Sequence, residues 1–277
     1  MLLQFPHVVG CYVGRKVVRK KTRATLAVVC CVSKKQPTSR LATRALLPRV
    51  VPWLSTPRRT ALVKTDVQTC GRSGRYAAVG PGDGLRAPET ATLGFALAHL
   101  VLGPVVTTAG HAFIPNGFGQ ITFSPPRPVS LIELSSDPPL RISGRALRAV
   151  VSTDADYALL SPDGPLHNLF QDFFPIRGIQ IPRPEHVGQP AFGLANSGTK
   201  QTKVVGIEGE LPVGGVSMTG LILTDNIANP GDSGAALVDQ HFCLMGVLVG
   251  FVTVGGRRLS AFATAQTLLS LERASLL

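Results

Sequence analysis

The chain of 277 residues is poor in aromatic and charged side chains, which make up 6% and 16% of it. Its longest apolar stretches, such as residues 242–254, are broken by glycine and are shorter than the roughly 20 residues that a membrane-spanning helix needs. Helical periodicity is also scarce, whereas 29 glycines and 22 prolines punctuate short β-rich runs. The sequence therefore argues against a membrane span and predicts a mainly β protein. Its 44% apolar residues are enough for a sizeable core.

Cysteine usage and the first residues bear on the cellular compartment. The chain has five cysteines, and only Cys243 lies beyond residue 91, so no disulfide framework can be built in the larger part. This favours a reducing compartment, or a bacterial type of protein that does without disulfides. The basic cluster 15–21 follows the first apolar residues, which is the wrong order for a signal peptide. We expect a cytoplasmic protein, with export as the alternative.

Acidic residues are almost absent from the first 75 positions. They hold 16 lysines and arginines against one acid, Asp66, whereas the rest of the chain carries 12 basic and 15 acidic side chains. Two interpretations of this segment stay open: a solvated face that docks on the mildly acidic remainder, or a surface for an anionic partner such as nucleic acid, a membrane or an acidic protein. Only Phe5, Tyr12 and Trp53 are available to stack on bases, and no nucleic-acid-binding motif is present.

The organisation of the chain follows from its β-rich runs and turns. The basic segment predicts two paired strands, a short helix and a third strand, in that order over residues 12–18, 25–33, 38–47 and 60–67. We expect a small α+β N-terminal subdomain over residues 1–78. Glycines and prolines predict a linker over residues 79–91, ahead of a larger domain over residues 92–277.

The larger domain is predicted to contain two successive six-stranded barrels. The first would use segments near residues 92–100, 104–108, 119–124, 128–134, 140–152 and 157–161. The second would use segments near residues 178–181, 190–195, 203–211, 220–224, 235–238 and 242–253, and would close with 258–264. Residues 265–277 predict a terminal helix.

Three short motifs in the larger domain carry chemically reactive side chains. Residues 107–111 (Thr-Thr-Ala-Gly-His) end in His111, residues 156–160 (Asp-Tyr-Ala-Leu-Leu) begin with Asp156, and residues 229–234 (Asn-Pro-Gly-Asp-Ser-Gly) contain Ser233. The order His, Asp, Ser, with gaps of 45 and 77 positions, is that of the chymotrypsin triad. The subtilisin and α/β-hydrolase orders differ from it.

These residue types suit nucleophilic catalysis. A serine hydroxyl needs a neighbouring base, and histidine serves because an imidazole ordinarily titrates near neutrality. Asp156 would hold the imidazole of His111 in the correct tautomer. The backbone N–H groups of Gly231 and Ser233 would form an oxyanion hole, where a glycine allows close approach of the substrate.

Each assignment has an alternative. Taken alone, a Gly-Asp-Ser-Gly segment is a common polar turn, in which Ser233 has a structural role only. Asp154 lies two residues before Asp156 and would share its strand face. His99 lies in another apolar strand and is expected to be a core or surface residue.

Together the three motifs resemble those of the trypsin-like (chymotrypsin-fold) serine peptidases of bacterial type, over residues 92–277. The resemblance implies a chymotrypsin-like double β-barrel with a C-terminal helix, and a serine endopeptidase that cleaves protein or peptide substrates. The family places its aspartate before a β-former, an alanine and two apolar residues, which Asp156 fits and Asp154 does not. The alternative is a weak or inactive peptidase-fold interaction module, whose basic N-terminal subdomain binds an anionic partner.

The order of segments in the N-terminal part is similar to that of the subdomain preceding the peptidase in relatives of the plant NARROW LEAF peptidase, bacterial members included. The residues that carry this similarity are Gly-Cys-Tyr-Val-Gly-Arg-Lys at 10–16, Leu-Ala-Val-Val at 26–29, Ser-Lys-Lys at 33–35, Leu-Leu-Pro at 46–48 and Lys-Thr-Asp-Val at 64–67.

Departures from the animal trypsins concern activation. Ala112 stands where those enzymes have a half-cystine after the histidine, and no Arg-Ile-Val-Gly-Gly activation site precedes the first barrel. We therefore do not expect Asp232 to pair with a newly cut amino terminus. A hydrogen bond within its own turn is expected instead.

The resemblance also implies a substrate pocket lined by Ile227, Val249 and Phe251, together with Gly250. No acidic residue occupies the base of this pocket, so a small or apolar substrate side chain is expected rather than lysine or arginine. The sequence has no cluster of ligands with metal-binding spacing, and neither a metal nor a cofactor is expected.

Overall fold

The structure, a computed structural model, describes most of the chain: residues 2–18, 21–56, 59–74, 91–114, 118–133, 140–164, 176–195 and 198–277. The predicted linker, apart from residue 91, lies outside these ranges, as do Arg19 and Lys20. Within the described ranges, no helix is both long enough and apolar enough to cross a bilayer.

Strands dominate the described part of the chain. The N-terminal strands are β1 (Val8–Val18), β2 (Lys21–Val32), β3 (Val50–Thr56) and β4 (Arg59–Gly74). The next five are β5 (Ala96–His99), β6 (Gly103–Thr108), β7 (Gly119–Glu133), β8 (Leu140–Val151) and β9 (Asp156–Pro162). The remaining elements are β10 (Gly178–Ile179), β11 (Pro190–Ala195), β12 (Gly198–Val213), β13 (Val216–Asp225), β14 (Ala236–Asp239), β15 (Cys243–Val254), β16 (Arg257–Thr264), α1 (Ala265–Glu272) and β17 (Ala274–Leu276).

These strands form two sheets, which confirms the mainly β fold class predicted from the sequence. The smaller sheet has six strands in the order β17-β5-β6-β9-β8-β7. Strands β5 to β9 each contribute to one apolar cluster that includes Val106, Ala146 and Leu160, so the sheet has a core of its own. The larger sheet has eleven strands.

Part of the larger sheet closes into a six-stranded barrel. Its order is β11-β14-β15-β16-β13-β12, and β11 also pairs with β12, which completes the ring. Every strand of the ring contributes to the enclosed core, through Ala191, Val204, Ile207, Ile222, Leu237, Met245, Leu248 and Phe262.

The N-terminal strands close a further ring of strands on the outside of this barrel, which we call the outer ring. Strand β1 pairs with β12 and β2, β2 pairs with β4, and β4 pairs with β15. Four strands, β12, β13, β15 and β16, therefore belong to both rings, and we call them the common wall. Neighbouring residues of the wall point into different cores, since Leu248 and Phe262 face the barrel whereas Val249 and Ala261 face the outer ring. Burial on both faces explains the nearly continuous apolar sequence of β15.

Several predicted elements need correction. The helix predicted over 38–47 is two short 3₁₀ turns, Thr38–Arg40 and Thr43–Ala45, and the second turn lacks a side-chain N-cap. Strand β3 was not predicted. The segments predicted separately at 119–124 and 128–134 form one strand, β7, with an irregularity in its pairing to β8 between Thr122 and Arg127.

The C-terminal helix is shorter than predicted. It ends at Glu272, because Arg273 adopts a left-handed conformation with φ +49°. The chain then returns as β17, which pairs with β5 of the smaller sheet.

All five cysteines are free thiols. Burial raises the pKa of Cys30 to about 12 and also raises the pKa of Cys31, which packs in the core of the outer ring. Both thiols therefore stay protonated at neutral pH and react slowly.

Replacing Gly206 in the common wall should destabilise the fold. A Cβ at this position would lie 2.2 Å from Cδ2 of Tyr12. The aromatic side chain of Tyr12 packs in the core enclosed by the outer ring of strands. We expect Gly206→Ala to lower the free energy of unfolding by about 1–3 kcal/mol through overpacking. Gly178→Ala is the control, because no atom lies within 4 Å of a Cβ built there. Chemical denaturation giving equal stability for the two variants would show that β1 does not pack on the wall.

Candidate active site

His111 lies in a tight turn that the preceding glycine makes possible. The turn, Gly110–Ala112, is separated from the end of β6 by one residue, Ala109. A Cβ on Gly110 would lie 2.2 Å from the carbonyl oxygen of Val150 and 2.6 Å from that of Tyr157. Only glycine lets the turn approach β8 and β9 so closely, and this approach places His111 over the first residue of β9.

That first residue, Asp156, binds His111 through both carboxylate oxygens. Oδ1 accepts the backbone N–H of His111 at 2.9 Å, and Oδ2 lies 2.7 Å from Nδ1 of the ring. A carboxylate can only accept, so Nδ1 carries the ring proton and Nε2 has a free lone pair. The imidazole is thereby fixed in both its orientation and its tautomer.

The free nitrogen of His111 faces Ser233. Nε2 lies 3.0 Å from Oγ, within hydrogen-bond distance, so the hydroxyl can donate to the ring. His111 and Asp156 are 1% exposed and Ser233 is 0% exposed. In such surroundings of low polarity, the two hydrogen bonds are stronger than they would be in water. The structure thus brings together the three residues singled out in the sequence.

The turn that carries Ser233 is held by hydrogen bonds from several directions. Within the turn, the N–H of Asp232 donates to the carbonyl of Asn229, and the N–H of Asn229 donates to the Asp232 carboxylate. From outside, the N–H and Oγ1 of Thr92 donate to the carbonyls of Ser233 and Gly231, at 2.7 and 3.0 Å. The carboxylate of Asp232 therefore bonds within its own turn, as the sequence predicted.

Two N–H groups of this turn remain available to a ligand. No described residue accepts a hydrogen bond from the N–H of Gly231 or Ser233. Gly231 has φ +92°, in the region that favours glycine. These are the two donors that the sequence assigns to an oxyanion hole.

The rival candidates have other contacts. Asp154 accepts a hydrogen bond from Oγ of Ser152 at 2.7 Å, in the turn before β9. Nδ1 of His99 accepts the N–H groups of Val101 and Leu102, so its Nε2 carries the proton and donates to Glu272. Both residues thus have structural partners that are separate from Ser233.

Two of the three residues assigned to a substrate pocket share one apolar cluster, and the third does not. Ile227 and Phe251 pack against the same cluster, that of the six-stranded barrel. Val249 is fully buried in the core of the outer ring, because it lies on the opposite face of the common wall from its neighbour Leu248. The guanidinium of Arg258 lies 3.8 Å from the centre of the Phe251 ring, a cation–π contact.

Sequence reasoning missed the residue that supplies a positive charge beside Asp232. The Asp232 carboxylate is nearly buried, and Nζ of Lys200 lies 3.8 Å from its Oδ2. The same ammonium donates to the carbonyl of Ile227 at 3.0 Å. Lys200 is therefore positioned to hold the turns before and around Ser233. Its place on a partly exposed strand gave no local signal of this role.

A buried carboxylate behind β9 was missed as well. The Glu272 side chain, at the end of α1, accepts hydrogen bonds from the Tyr157 hydroxyl and from Arg148. Burial, followed by the interaction with Glu272, raises the pKa of Tyr157, so this hydroxyl stays a donor. Since Tyr157 follows Asp156 directly, the contact fixes the strand that presents the aspartate.

Within the described ranges, no group of three or more His, Cys, Asp and Glu side chains could hold a metal ion. The arrangement around Ser233 is a set of hydrogen-bonding side chains and backbone N–H groups. What it can do chemically is move a proton from a hydroxyl to an imidazole.

The chain is similar in structure to several trypsin- or chymotrypsin-like serine proteases. Cellulomonas bogoriensis chymotrypsin is 18% identical, with a TM-score of 0.48 and coverage of 74% of this chain and 97% of that one. Thermobifida fusca protease A is 17% identical, with a TM-score of 0.47 and coverage of 68% and 91%. The MamO protease domain from Magnetospirillum magneticum is 21% identical, with a TM-score of 0.45 and coverage of 69% and 92%. No protein-family profile and no curated protein matches the sequence.

Removing the Lys200 charge should destabilise the protein. In Lys200→Met, the nearly buried Asp232 loses a cation, and we expect the free energy of unfolding to fall by about 1–2 kcal/mol, less than for a fully buried pair because the lysine is partly exposed. Lys203→Met, on the same strand at an exposed position, should change it by less than about 0.5 kcal/mol. Denaturant titration of both variants measures the difference, and equal values would contradict the role given to Lys200.

Proposed function

We propose that the protein is a serine endopeptidase that hydrolyses peptide bonds through an acyl-enzyme intermediate. The observation that carries this proposal is the hydrogen-bond chain from Asp156 through His111 to Ser233, with distances of 2.7 and 3.0 Å. The three side chains come from distant parts of the sequence and from two different sheets. A serine with only a structural role in its turn would not require an oriented base.

In the proposed reaction, Oγ of Ser233 attacks the carbonyl carbon of the substrate while Nε2 of His111 takes the hydroxyl proton. The carbonyl π electrons move to the oxygen, and the N–H groups of Gly231 and Ser233 stabilise the resulting oxyanion. Asp156 stabilises the imidazolium. His111 then gives its proton to the leaving amine, the C–N bond breaks, and an ester to Ser233 remains. Water hydrolyses this ester with His111 again acting as base.

The substrate residue before the cleaved bond is proposed to be apolar. Ile227 and Phe251 offer aliphatic and aromatic surface at the same cluster, and no carboxylate stands at the position of Ile227 to bind a basic side chain. Arg258 over the Phe251 ring adds a positive charge nearby. This charge would further disfavour lysine or arginine in the substrate.

The enzyme is proposed to be active without cleavage of its chain and to work in the cytoplasm. Asp232 already has a partner in the N–H of Asn229 and a cation in Lys200, so a newly cut amino terminus is not needed to hold it. The five free thiols support a reducing compartment.

Replacing Ser233 tests the nucleophile. Ser233→Ala should lower turnover of peptide or ester substrates by about 10⁶, because the residual activity would come from binding and the oxyanion donors alone. Ser217→Ala, at an exposed position, is the matched control and should hydrolyse at the wild-type rate. If purified wild-type protein cleaves no substrate in a broad peptide library, the interaction-module alternative becomes the better account.

The two aspartates can be separated by the same assay. Asp156→Asn should lower turnover by about 10⁴, since an amide donor at this position favours the wrong tautomer of His111. Asp154→Asn should leave turnover nearly unchanged, because its partner is Ser152. A loss at Asp154 as large as that at Asp156 would overturn the assignment.

A further inference from the structure

The hairpin of β1 and β2 continues past the outer ring as a two-stranded ribbon. The last pairing of β1 with β12 is at Gly14, and the first pairing of β2 with β4 is at Ala27. Beyond these residues, 15–18 and 21–26 pair only with each other within the described part of the chain. We call these two segments the ribbon.

The β2 half of the ribbon is open to solvent, whereas its β1 half, residues 15–18, is half-buried and its base is fixed. Residues 21–25 are exposed without the alternation that packing of one face would produce. At the base, the N–H of Val17 donates to Oδ2 of Asp66 at 2.9 Å, and Arg15 donates to the carbonyl of Val187 at 3.3 Å. These two hydrogen bonds fix the orientation of the ribbon relative to the rest of the protein.

The charge on the ribbon is one-sided and unneutralised. Four of its ten residues, Arg15, Lys16, Lys21 and Arg23, are basic, and none is acidic. Among the described ion pairs, none involves Lys16, Lys21 or Arg23. The one acid of the first 75 residues, Asp66, is occupied by backbone and side-chain N–H groups. The acidic residues that the structure describes thus leave these charges available to a partner.

The chemistry of the ribbon favours one kind of polyanion. It carries no aromatic residue to stack on single-stranded bases. Its large apolar side chains, Val17, Val18 and Leu26, are half-buried, so the ribbon presents no exposed apolar face to a bilayer. Two paired strands lie about 4.8 Å apart, and such a ribbon fits the roughly 12 Å wide major groove of B-form DNA. The major groove of duplex RNA is too narrow and deep for it.

We propose that the ribbon is a binding arm for double-stranded DNA, which enters the major groove and contacts the phosphates on both sides through its lysines and arginines. Binding is independent of base sequence, because lysine and arginine contacts to phosphates carry no sequence information. The proposal does not depend on the peptidase activity, since no residue of the ribbon belongs to the candidate active site.

The test compares two variants with the same change of charge. Lys21→Gln/Arg23→Gln removes two ribbon charges, whereas Lys34→Gln/Lys35→Gln removes two exposed charges beyond the other end of β2. Binding of a labelled 20-base-pair DNA duplex is measured by anisotropy over a series of salt concentrations. The ribbon variant should bind roughly tenfold or more weakly, and its salt slope should fall by about 1.8, or 0.9 for each lost phosphate contact. The control variant should keep the wild-type slope, and thermal denaturation checks that both variants are folded.

Competing ligands identify the groove and the class of partner. Methyl green, which occupies the major groove, should displace the wild-type protein, whereas distamycin in the minor groove should not. Equal losses in the two variants, no binding to the duplex at low salt, or displacement by distamycin alone would overturn the proposal. Equal or tighter binding of duplex RNA, single-stranded DNA or phosphatidylserine vesicles would also overturn it.

Discussion

The hydrogen bond between His111 and Ser233 joins two sheets that share no strand pairing. Its 3.0 Å length holds only if the sheets keep one separation, and an apolar cluster between them sets that separation. The cluster contains Phe95, Leu97 and Leu159, which lie in or beside the smaller sheet, and Leu194 and Val238 of the larger sheet. Packing at the density of a protein interior resists sliding, so the geometry of the site depends on this interface as much as on the three side chains.

The larger sheet gains its rigidity from strands that serve two rings. Because the common wall is buried on both faces, neither the six-stranded barrel nor the outer ring can be removed without exposing the other's wall. The smaller sheet is tied to this body by the chain end, where α1 packs in the cluster between the sheets and β17 pairs with β5. Glu272, between these two elements, reaches Tyr157 beside Asp156. The N-terminal strands and the C-terminus therefore both support the site indirectly.

Local sequence patterns were sufficient for the features that are local in structure. The three reactive residues lie at strand ends or in turns with their own signatures, and the bounds predicted for β11 agree with the structure. The outer ring was not predicted, because β4 pairs with a strand some 180 positions away and nothing in either strand marks the partner. Val249 was placed in the substrate pocket by the resemblance to the family, and β15, which is buried on both faces, has no alternation that would reveal which side each residue faces. Lys200 and Glu272 act only through residues far away in the sequence.

The central claim is that Ser233 is a nucleophile activated by His111 across the two sheets. Reaction with a biotinylated fluorophosphonate, followed by mass spectrometry of the digested protein, tests it directly, because this reagent bonds covalently to an activated serine. The account predicts a single adduct, on Ser233, that disappears in His111→Ala while the variant stays folded. An unmodified Ser233 in the wild-type protein, or an adduct that forms equally fast without His111, would contradict it.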